Sequence, residues 1–248
     1  MKCVVLAAGY ATRLYPLTEN FPKPLLEVNG KTILDWLLDD IDAIPEIDGY
    51  VIISNHKFVE HFENWAKNVT LKSPVTVIDD GSVSNETRLG AVKDVAFAID
   101  ELKLDDDLLV IAGDNILDFS FDKFVDFYKE KNATCVMRYF EESKAKLQKC
   151  GVAEIDDNSL ITNMTEKPQE PKSNWAVPPF YIYKKCDLPY VDKGINSGCG
   201  IDAPGSFIAW LCEQTTVYAM EMPGSRYDIG DLASYEEVKQ TYKGITKW

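Results

Sequence analysis

Short apolar runs alternate with longer amphipathic stretches through the first half of this 248-residue chain. The longer stretches place apolar side chains on one helical face, and they predict helices at 32–44, 59–66, 90–102 and 121–131. The short runs are rich in Val, Ile and Leu, which predicts strands at 2–7, 50–54, 75–78, 108–112 and 133–139. This alternation is typical of a mainly parallel sheet with helices on both faces.

After residue 151 the pattern changes to short strands mixed with short helices. It predicts strands at 152–155, 161–165, 176–183 and 216–220, and helices at 206–213 and 232–242. We interpret this part as a second lobe folded onto the same sheet. The prediction is one domain, residues 1–248, with lobes 1–140 and 141–248. Its class is α/β, a Rossmann-like three-layer α/β/α fold with a mixed, mainly parallel sheet.

The loop after the first strand carries the strongest chemical signal. Its small residues allow backbone N–H groups to approach a phosphate closely, and Gly9 can take backbone angles that other residues cannot. Arg13 and Lys23 then bring two cations to the same end of the strand, where both suit phosphate oxygens. The sequence therefore predicts a triphosphate site. It contains neither G-x-x-x-x-G-K-[ST] nor G-x-G-x-x-G, so a P-loop and a dinucleotide fold are unsupported.

The run from Leu6 to Thr18, followed by Pro22-Lys23-Pro24-Leu25-Leu26, resembles the signature of the sugar-1-phosphate nucleotidylyltransferases. Their pattern is L-A-G/A-G-x-G/A-T-R-L-x-P-L-T, ten residues before the lysine of P-K-x-L-L. Ala11 stands where glycine is commoner in that family. Further matches recur as far as Asp228, so the resemblance spans nearly the whole chain. It is greatest to the glucose-1-phosphate thymidylyl- and uridylyltransferases.

The resemblance implies the nucleotidyltransferase fold and an NTP and a sugar 1-phosphate as substrates, with an NDP-sugar and pyrophosphate as products. It implies that lobe 1–140 binds the nucleotide, a pyrimidine being favoured, and that lobe 141–248 binds the sugar phosphate. Arg13 is expected to hold the leaving pyrophosphate, and Lys23 to neutralise charge at the α-phosphate. The expected nucleotide-binding residues are Leu6, Ala7, Ala8, Gly9, Asn85, Gly90 and Gly113.

Two aspartates are candidate metal ligands. Asp114 follows the predicted strand 108–112, and its hard oxygens suit Mg²⁺, although aspartate in such a position also caps helices. Gly113-Asp114-Asn115 matches the family's G-D-N, whose aspartate holds the metal. Asp228 resembles the second metal ligand, in W-x-D-x-G-T-P, with Tyr227 near the position of the tryptophan. We therefore expect Mg²⁺ on Asp114 and Asp228, whereas Asp231 is expected to cap the last helix.

The region expected to bind the nucleobase departs from the family pattern at two residues. Asn85 lies five residues before Gly90, as the amide of the family's Q-x-x-x-x-G-x-A does, but it is one methylene shorter than glutamine. The amide alone does not decide the base. Arg88 has no simple counterpart, and contact with phosphate and exposure to solvent are both open for it.

In the acceptor region, Cys150-Gly151-Val152 resembles the family's Y-G-V, which lines the sugar pocket, so Gly151 is expected to bind the sugar phosphate. It also matches at Thr165-Glu166-Lys167-Pro168, where Glu166 is expected to bind sugar hydroxyls and Lys167 the sugar phosphate. No arginine lies between Arg138 and Arg226. An acceptor other than glucose 1-phosphate therefore remains open. We expect Asp202 to face a hydroxyl or amine of that acceptor.

Composition limits the remaining possibilities. The net charge of −14 argues against nucleic acid or an anionic membrane as the partner. The six cysteines form no C-x-x-C pair and no signal peptide is evident, so we expect the protein in the cytoplasm. We also expect it to be a monomer or small homo-oligomer.

Two alternatives to this function remain. One is a cytidylyltransferase for a non-sugar phosphate such as phosphocholine. The other is a non-catalytic nucleotide-sugar sensor, which should have lost a cation or a metal aspartate.

Overall fold

The computed structural model describes residues 1–247, which fall into two compact units. Unit 1 comprises Met1–Arg88, Ala112–Lys123 and the chain from Pro223 onward, and unit 2 comprises Leu89–Ile111 and Phe124–Met222. Both units combine strands with helices, so the predicted α/β class is confirmed. The units are discontinuous in sequence and do not coincide with 1–140 and 141–248. Which substrate each of those ranges binds stays a prediction.

The elements are numbered along the chain. The strands are β1 Lys2–Leu6, β2 Glu27–Val28, β3 Lys31–Thr32, β4 Tyr50–Ser54, β5 Val75–Asp79, β6 Leu108–Ala112, β7 Asn115–Leu117, β8 Thr134–Phe140, β9 Gly151–Ile155, β10 Ile161–Glu166, β11 Trp175–Val177, β12 Phe180–Tyr183, β13 Val217–Glu221 and β14 Arg226–Asp228. The α-helices are α1 Ile33–Ile41, α2 Val59–Asn68, α3 Ala91–Leu102, α4 Asp122–Lys131, α5 Lys144–Leu147, α6 Pro189–Asn196, α7 Pro204–Leu211 and α8 Leu232–Thr241.

In unit 1, β1 pairs in parallel with β4, and β4 pairs in parallel with β5. The central residues of β1 and all of β4 are buried, which is why both appear in the sequence as continuous apolar runs. A separate two-stranded ribbon joins β7 and β14 in antiparallel register, with Asp228 opposite Asn115. This ribbon is essential for the candidate site, because it brings two segments more than a hundred residues apart onto neighbouring strands.

Unit 2 contains a run of paired strands in the order β10, β9, β11, β8, β12 and β6, with β13 parallel to β8. All the pairs along that run are antiparallel. The mixed sheet is therefore confirmed, and parallel pairing holds in unit 1, but antiparallel pairs predominate in unit 2. A short connection explains one of these pairs, β9–β10, which residues 156–160 join, because a parallel pair needs a long crossover connection.

The predicted elements are all present, with three notable differences. The predicted strand 176–183 is two strands, because Pro178 and Pro179 separate β11 from β12 and proline cannot donate to a sheet ladder. Helix α1 ends at Ile41 rather than at residue 44; at its start, Thr32 and Asp35 form a reciprocal capping box. The ribbon β7–β14 and helix α6 have no counterpart in the prediction. No helix among residues 1–247 is long and apolar enough to cross a membrane.

Candidate functional site

The loop that follows β1 is held from both sides by buried side chains. Asn55, which is fully buried, donates its amide N–H to the carbonyl of Ala8 at 3.0 Å. Thr18, also fully buried, donates its hydroxyl to the carbonyl of Ala11 at 2.8 Å. Within residues 1–247, no protein acceptor takes the N–H groups of Ala8 or Gly9. The loop is thus fixed by its carbonyls while two adjacent N–H groups stay available to a ligand.

Small residues serve different purposes along this loop. A Cβ on Gly9 would meet no atom within 4 Å, so the space beside it is open, and its backbone is not in the left-handed region. The conformational freedom expected of Gly9 is therefore not used. Ala11 is the residue with positive φ, 46°, which accounts for the commoner glycine at that position of the family pattern.

Gly113 lies where two strands approach closely. Its N–H donates to the carbonyl of Leu6 at 3.0 Å, and a Cβ there would lie 2.8 Å from a methyl carbon of Val5. Any larger residue would push the end of β1 away from the turn that carries Asp114. The glycine of the G-D-N motif is thus required by packing; its predicted contact with nucleotide stays a prediction.

Arg13, Lys23 and Asp114 line one pocket, together with the backbone of the loop and Gly230. Lys23 begins a short 3₁₀ turn after Pro22, and although it is almost completely buried, its Nζ lies 2.9 Å from Asp114 Oδ2. Arg13 is exposed, on the 3₁₀ turn Thr12–Leu14. The structure therefore places both predicted catalytic cations and one predicted metal ligand around the same cleft. Their catalytic roles stay predictions.

Asp114 is held ionised by the cations around it. Desolvation in the cleft alone would raise its pKa, but the charge and hydrogen bond of Lys23 and the charge of Arg226 hold the pKa below its usual range. Its side chain keeps 42% of its surface exposed, so a cation from solvent can reach it. Asp114 is thus a ready carboxylate ligand and does not serve as a helix cap.

Asp228 lies on β14, opposite the residue that follows Asp114, and its carboxylate is 56% exposed. No group of three or more His, Cys, Asp or Glu side chains suited to a metal occurs among residues 1–247. Two carboxylates nevertheless fit Mg²⁺, which commonly takes one or two of them and completes its shell with water and substrate phosphates. Asp231 caps α8 as predicted, since its side chain accepts the N–H of Ser234 at 2.8 Å.

Three polar residues of this unit were missed in the sequence. Asn55 holds the loop that follows β1, and Asn115 connects Arg226 to Asp114 through its amide. The signal for Arg226 was spacing, because it stands two residues before Asp228, where the W-x-D pattern has its tryptophan. Tyr227 instead packs against the apolar cluster around α1 and α8.

Asn85 and Arg88 lie together in an exposed turn of unit 1. Arg88 Nη1 donates to Asn85 Oδ1 at 3.2 Å, so the arginine orients the amide that was expected to contact the base. In unit 2, Gly90 has φ 93°, and a Cβ there would lie 2.6 Å from the carbonyl oxygen of Ile201. Gly90 is therefore required by a close backbone approach. Nucleobase binding by Asn85 and Gly90 stays a prediction.

Unit 2 contains a cavity of about 510 Å³, within the size range of small-molecule sites. It brings together Glu166, Lys167 and Asp202 of the predicted acceptor site, and also Trp210 and Glu213. Lys167 adopts a left-handed backbone with φ 49°, and its N–H donates to the carbonyl of Cys150 at 3.0 Å.

Glu166 is packed between two glycines. A Cβ on Gly151 would lie 3.0 Å from its carboxylate oxygen, and a Cβ on Gly205 would collide with it. Burial raises the pKa of Glu166 to about 7, only partly opposed by the charge of Lys167. Gly151 therefore contributes by making room for Glu166; it does not itself line the cavity.

The chain belongs to the nucleotidyl transferase family, whose model matches residues 2–244. It is 30% identical over 241 residues to a putative mannose-1-phosphate guanyltransferase of Sulfolobus acidocaldarius, covering 96% of this chain and 62% of that protein. It is 27% identical over 247 residues to the UTP–glucose-1-phosphate uridylyltransferase AglF of Haloferax volcanii, covering 97% and 96%. This chain thus spans less than two thirds of the first relative and nearly all of the second.

Solved structures support the same fold. A UDP-glucose pyrophosphorylase complexed with UDP-glucose superposes with a TM-score of 0.82 at 20% identity, covering 97% of each chain. A putative glucose-1-phosphate thymidylyltransferase from Bacillus anthracis superposes with a TM-score of 0.76 at 22% identity, covering 99% of this chain and 96% of that one. The predicted family and α/β fold are confirmed.

Proposed function

We propose that this protein condenses a nucleoside triphosphate with a sugar 1-phosphate to give a nucleoside-diphosphate sugar and pyrophosphate. One observation carries the proposal. Arg13, Lys23 and Asp114 line a single pocket beside a loop whose N–H groups at Ala8 and Gly9 have no acceptor within residues 1–247. Free N–H donors, two cations and one carboxylate form a site for a polyphosphate with an associated cation.

An oxygen of the acceptor phosphate attacks the α-phosphorus, the bond from that phosphorus to the oxygen between the α- and β-phosphates breaks, and pyrophosphate leaves with that oxygen. Catalysis of this kind depends on positioning and charge neutralisation. The Lys23 ammonium has three N–H donors, and one of them is used on Asp114, so others remain for the α-phosphate. Arg13 suits forked contact with the leaving pyrophosphate, whereas Lys167 suits the acceptor phosphate as a point charge.

We propose that the reaction depends on Mg²⁺ held by Asp114 and Asp228. When bound, this ion supplies neutralisation of the phosphate charge that develops during transfer. Lys23 and Asn115 each contact a different oxygen of Asp114, which fixes the orientation of this carboxylate.

A pyrophosphate-release assay with five NTPs and a panel of sugar 1-phosphates tests the reaction. We expect release that requires both substrates and that chelation of divalent cations abolishes. Thermal shift identifies the preferred NTP first, since a ligand that binds only the folded state stabilises it. Stabilisation by a nucleotide-sugar without any pyrophosphate release would instead identify a sensor.

We propose a pyrimidine base, contacted by the amide of Asn85. The relatives named above act on different bases, so the assay must compare dTTP, UTP and CTP with GTP and ATP. Asn85→Ala should raise KM for the preferred NTP roughly tenfold, the scale of one or two lost hydrogen bonds. Greater turnover with GTP or ATP than with dTTP, UTP and CTP would contradict the prediction of a pyrimidine base. It would not affect the proposed reaction class.

The lining of the unit 2 cavity favours a second candidate, a cytidylyltransferase for a cationic acceptor such as phosphocholine. The cavity carries Glu166, Asp202 and Glu213 together with Trp210, and carboxylates and aromatic faces both attract cations. CTP with phosphocholine therefore belongs in the panel. Release with this pair that exceeds release with every sugar phosphate would establish this alternative.

We further expect the enzyme to act in the cytoplasm, as a monomer or small homo-oligomer. All six cysteines, which lie within the described residues, are free thiols, as a reducing compartment favours. Light scattering on the purified protein tests the oligomeric state, and fractionation of the source cells tests the location.

A further inference from the structure

A continuous set of hydrogen bonds connects Arg226 to Asp114 within unit 1. Arg226 Nη1 donates to Asn115 Oδ1 at 2.8 Å. Asn115 Nδ2 in turn donates to Asp114 Oδ1 at 2.9 Å, while Lys23 Nζ contacts the other oxygen, Oδ2, at 2.9 Å. Arg226 therefore acts on the carboxylate of Asp114 through one intervening amide.

The intervening amide has little freedom to move. Asn115 is only 1% exposed, and its Nδ2 also lies 3.3 Å from the carbonyl of Ala112. A buried amide oxygen needs a donor, and the guanidinium of Arg226 provides a charged one. This contact also decides which end of the amide faces Asp114, because the oxygen faces the arginine and the nitrogen faces the carboxylate.

The second carboxylate lies close to the same guanidinium. Arg226 Nη1 is 3.8 Å from Asp228 Oδ2, which is beyond hydrogen-bonding distance but close enough for attraction between the charges. The side chain of Arg226 is 18% exposed, so this charge is partly shielded from water. Arg226 thus attracts the carboxylate of Asp228 without occupying that oxygen.

We propose that Arg226 is a positioning residue for two carboxylates, those of Asp114 and Asp228. It fixes the orientation of Asp114 through Asn115, and its charge holds the Asp228 carboxylate near the guanidinium. This inference rests on the proposed function, in which the pair binds a divalent cation with the NTP. The role fits the general behaviour of residues that hydrogen-bond to metal ligands, whose loss costs metal affinity even though they do not touch the metal.

The test measures binding of Mn²⁺, an oxygen-ligated substitute for Mg²⁺, by the electron paramagnetic resonance signal of the free ion. Protein is titrated with Mn²⁺ in the presence of the preferred NTP and without an acceptor, so no product forms. We expect Arg226→Met and Asn115→Ala each to weaken Mn²⁺ binding by about 10- to 100-fold. The double variant should be no weaker than the worse single variant, because both changes break the same connection.

Lys239→Met is the matched control, since it removes one positive charge from an exposed side chain of α8 in the same unit. It should leave Mn²⁺ affinity unchanged. Arg226→Lys keeps the charge and one donor and should give an intermediate affinity, and circular dichroism on each variant establishes folding. If Arg226→Met fails to fold, Asn115→Ala decides, because unchanged affinity in that folded variant would overturn the proposal.

Three results would count against the inference. Unchanged affinity in folded Arg226→Met would make the residue structural only. Tighter Mn²⁺ binding would make it a competing charge, and additive losses in the double variant would separate Arg226 from Asn115. Pyrophosphate release by the wild-type protein is measured independently, so failure of the proposed function is distinguishable from failure of this inference.

Discussion

Glu166 should make the stability of this protein depend on pH in a direction opposite to that of most carboxylates. Its pKa is raised from an ordinary value of 4.5 to about 7, because the folded chain buries it between two glycines. Between these two values the folded state binds a proton that the unfolded state has released. The free energy of unfolding contributed by Glu166 therefore falls as pH rises from below 4.5 through 7.

The size of the effect follows from the difference in pKa. At about 1.4 kcal/mol for each pH unit, the whole difference corresponds to about 3 kcal/mol. Most of it, about 2.5 kcal/mol, falls between pH 5 and pH 8. Because the side chain also lines a cavity that water can enter, we expect a measured value between about 1 and 2.5 kcal/mol.

Glu166→Gln removes the titration and keeps the shape. Urea unfolding followed by circular dichroism should show the variant gaining stability relative to wild type between pH 5 and pH 8 by that amount. Any constant cost of burying the amide cancels in this comparison. Glu213→Gln, an exposed glutamate of the same cavity, should show no such gain. A pH-dependent difference below about 0.5 kcal/mol for Glu166→Gln would refute the reasoning, since the carboxylate would then be hydrated.

Three further predictions concern unit 1. Lys23→Ala should lower turnover at saturating substrates by on the order of a hundredfold or more, about 3 kcal/mol, with the fold intact; near-normal turnover would remove Lys23 from the mechanism. Asp114→Asn and Asp228→Asn should each abolish pyrophosphate release, and the double variant should be little worse than either, because the two ligands act as a unit. Full activity of Asp228→Asn at low Mg²⁺ would make that residue only structural. Ala11→Gly should leave the free energy of unfolding unchanged or raise it by up to about 1 kcal/mol, because Ala11 has positive φ. Urea unfolding measures this change. A loss above about 1 kcal/mol would contradict this account of the loop.

The strands β4 and β6 were predictable because they are buried on both faces. The predicted bounds are correct for Tyr50–Ser54 and Leu108–Ala112, because a continuous apolar run between polar residues marks where each strand begins and ends. The prediction of one strand at 176–183 was wrong, because it followed the run of apolar residues and disregarded Pro178 and Pro179. Proline removes a donor from the ladder regardless of how apolar its neighbours are.

The glycines and small residues of the loop were recognised, but partly for the wrong physical reason. Gly9 was expected to provide unusual backbone angles, whereas Ala11 has the left-handed conformation. Likewise, Gly90 and Gly151 were assigned to ligand contact, and the structure shows close contacts with Ile201 and Glu166. Sequence indicates that a small residue is required, and only the packed neighbours reveal what requires it.

The sequence by itself determined the α/β class, the family, and the small and cationic residues of the segment after β1, because those depend on local periodicity and on one contiguous motif. The connection from Arg226 through Asn115 to Asp114 could be decided only by the tertiary structure. Its first two members are 111 residues apart, and they meet because two short strands pair in one particular register. Such pairing depends on long-range packing of buried surface, which no local pattern encodes.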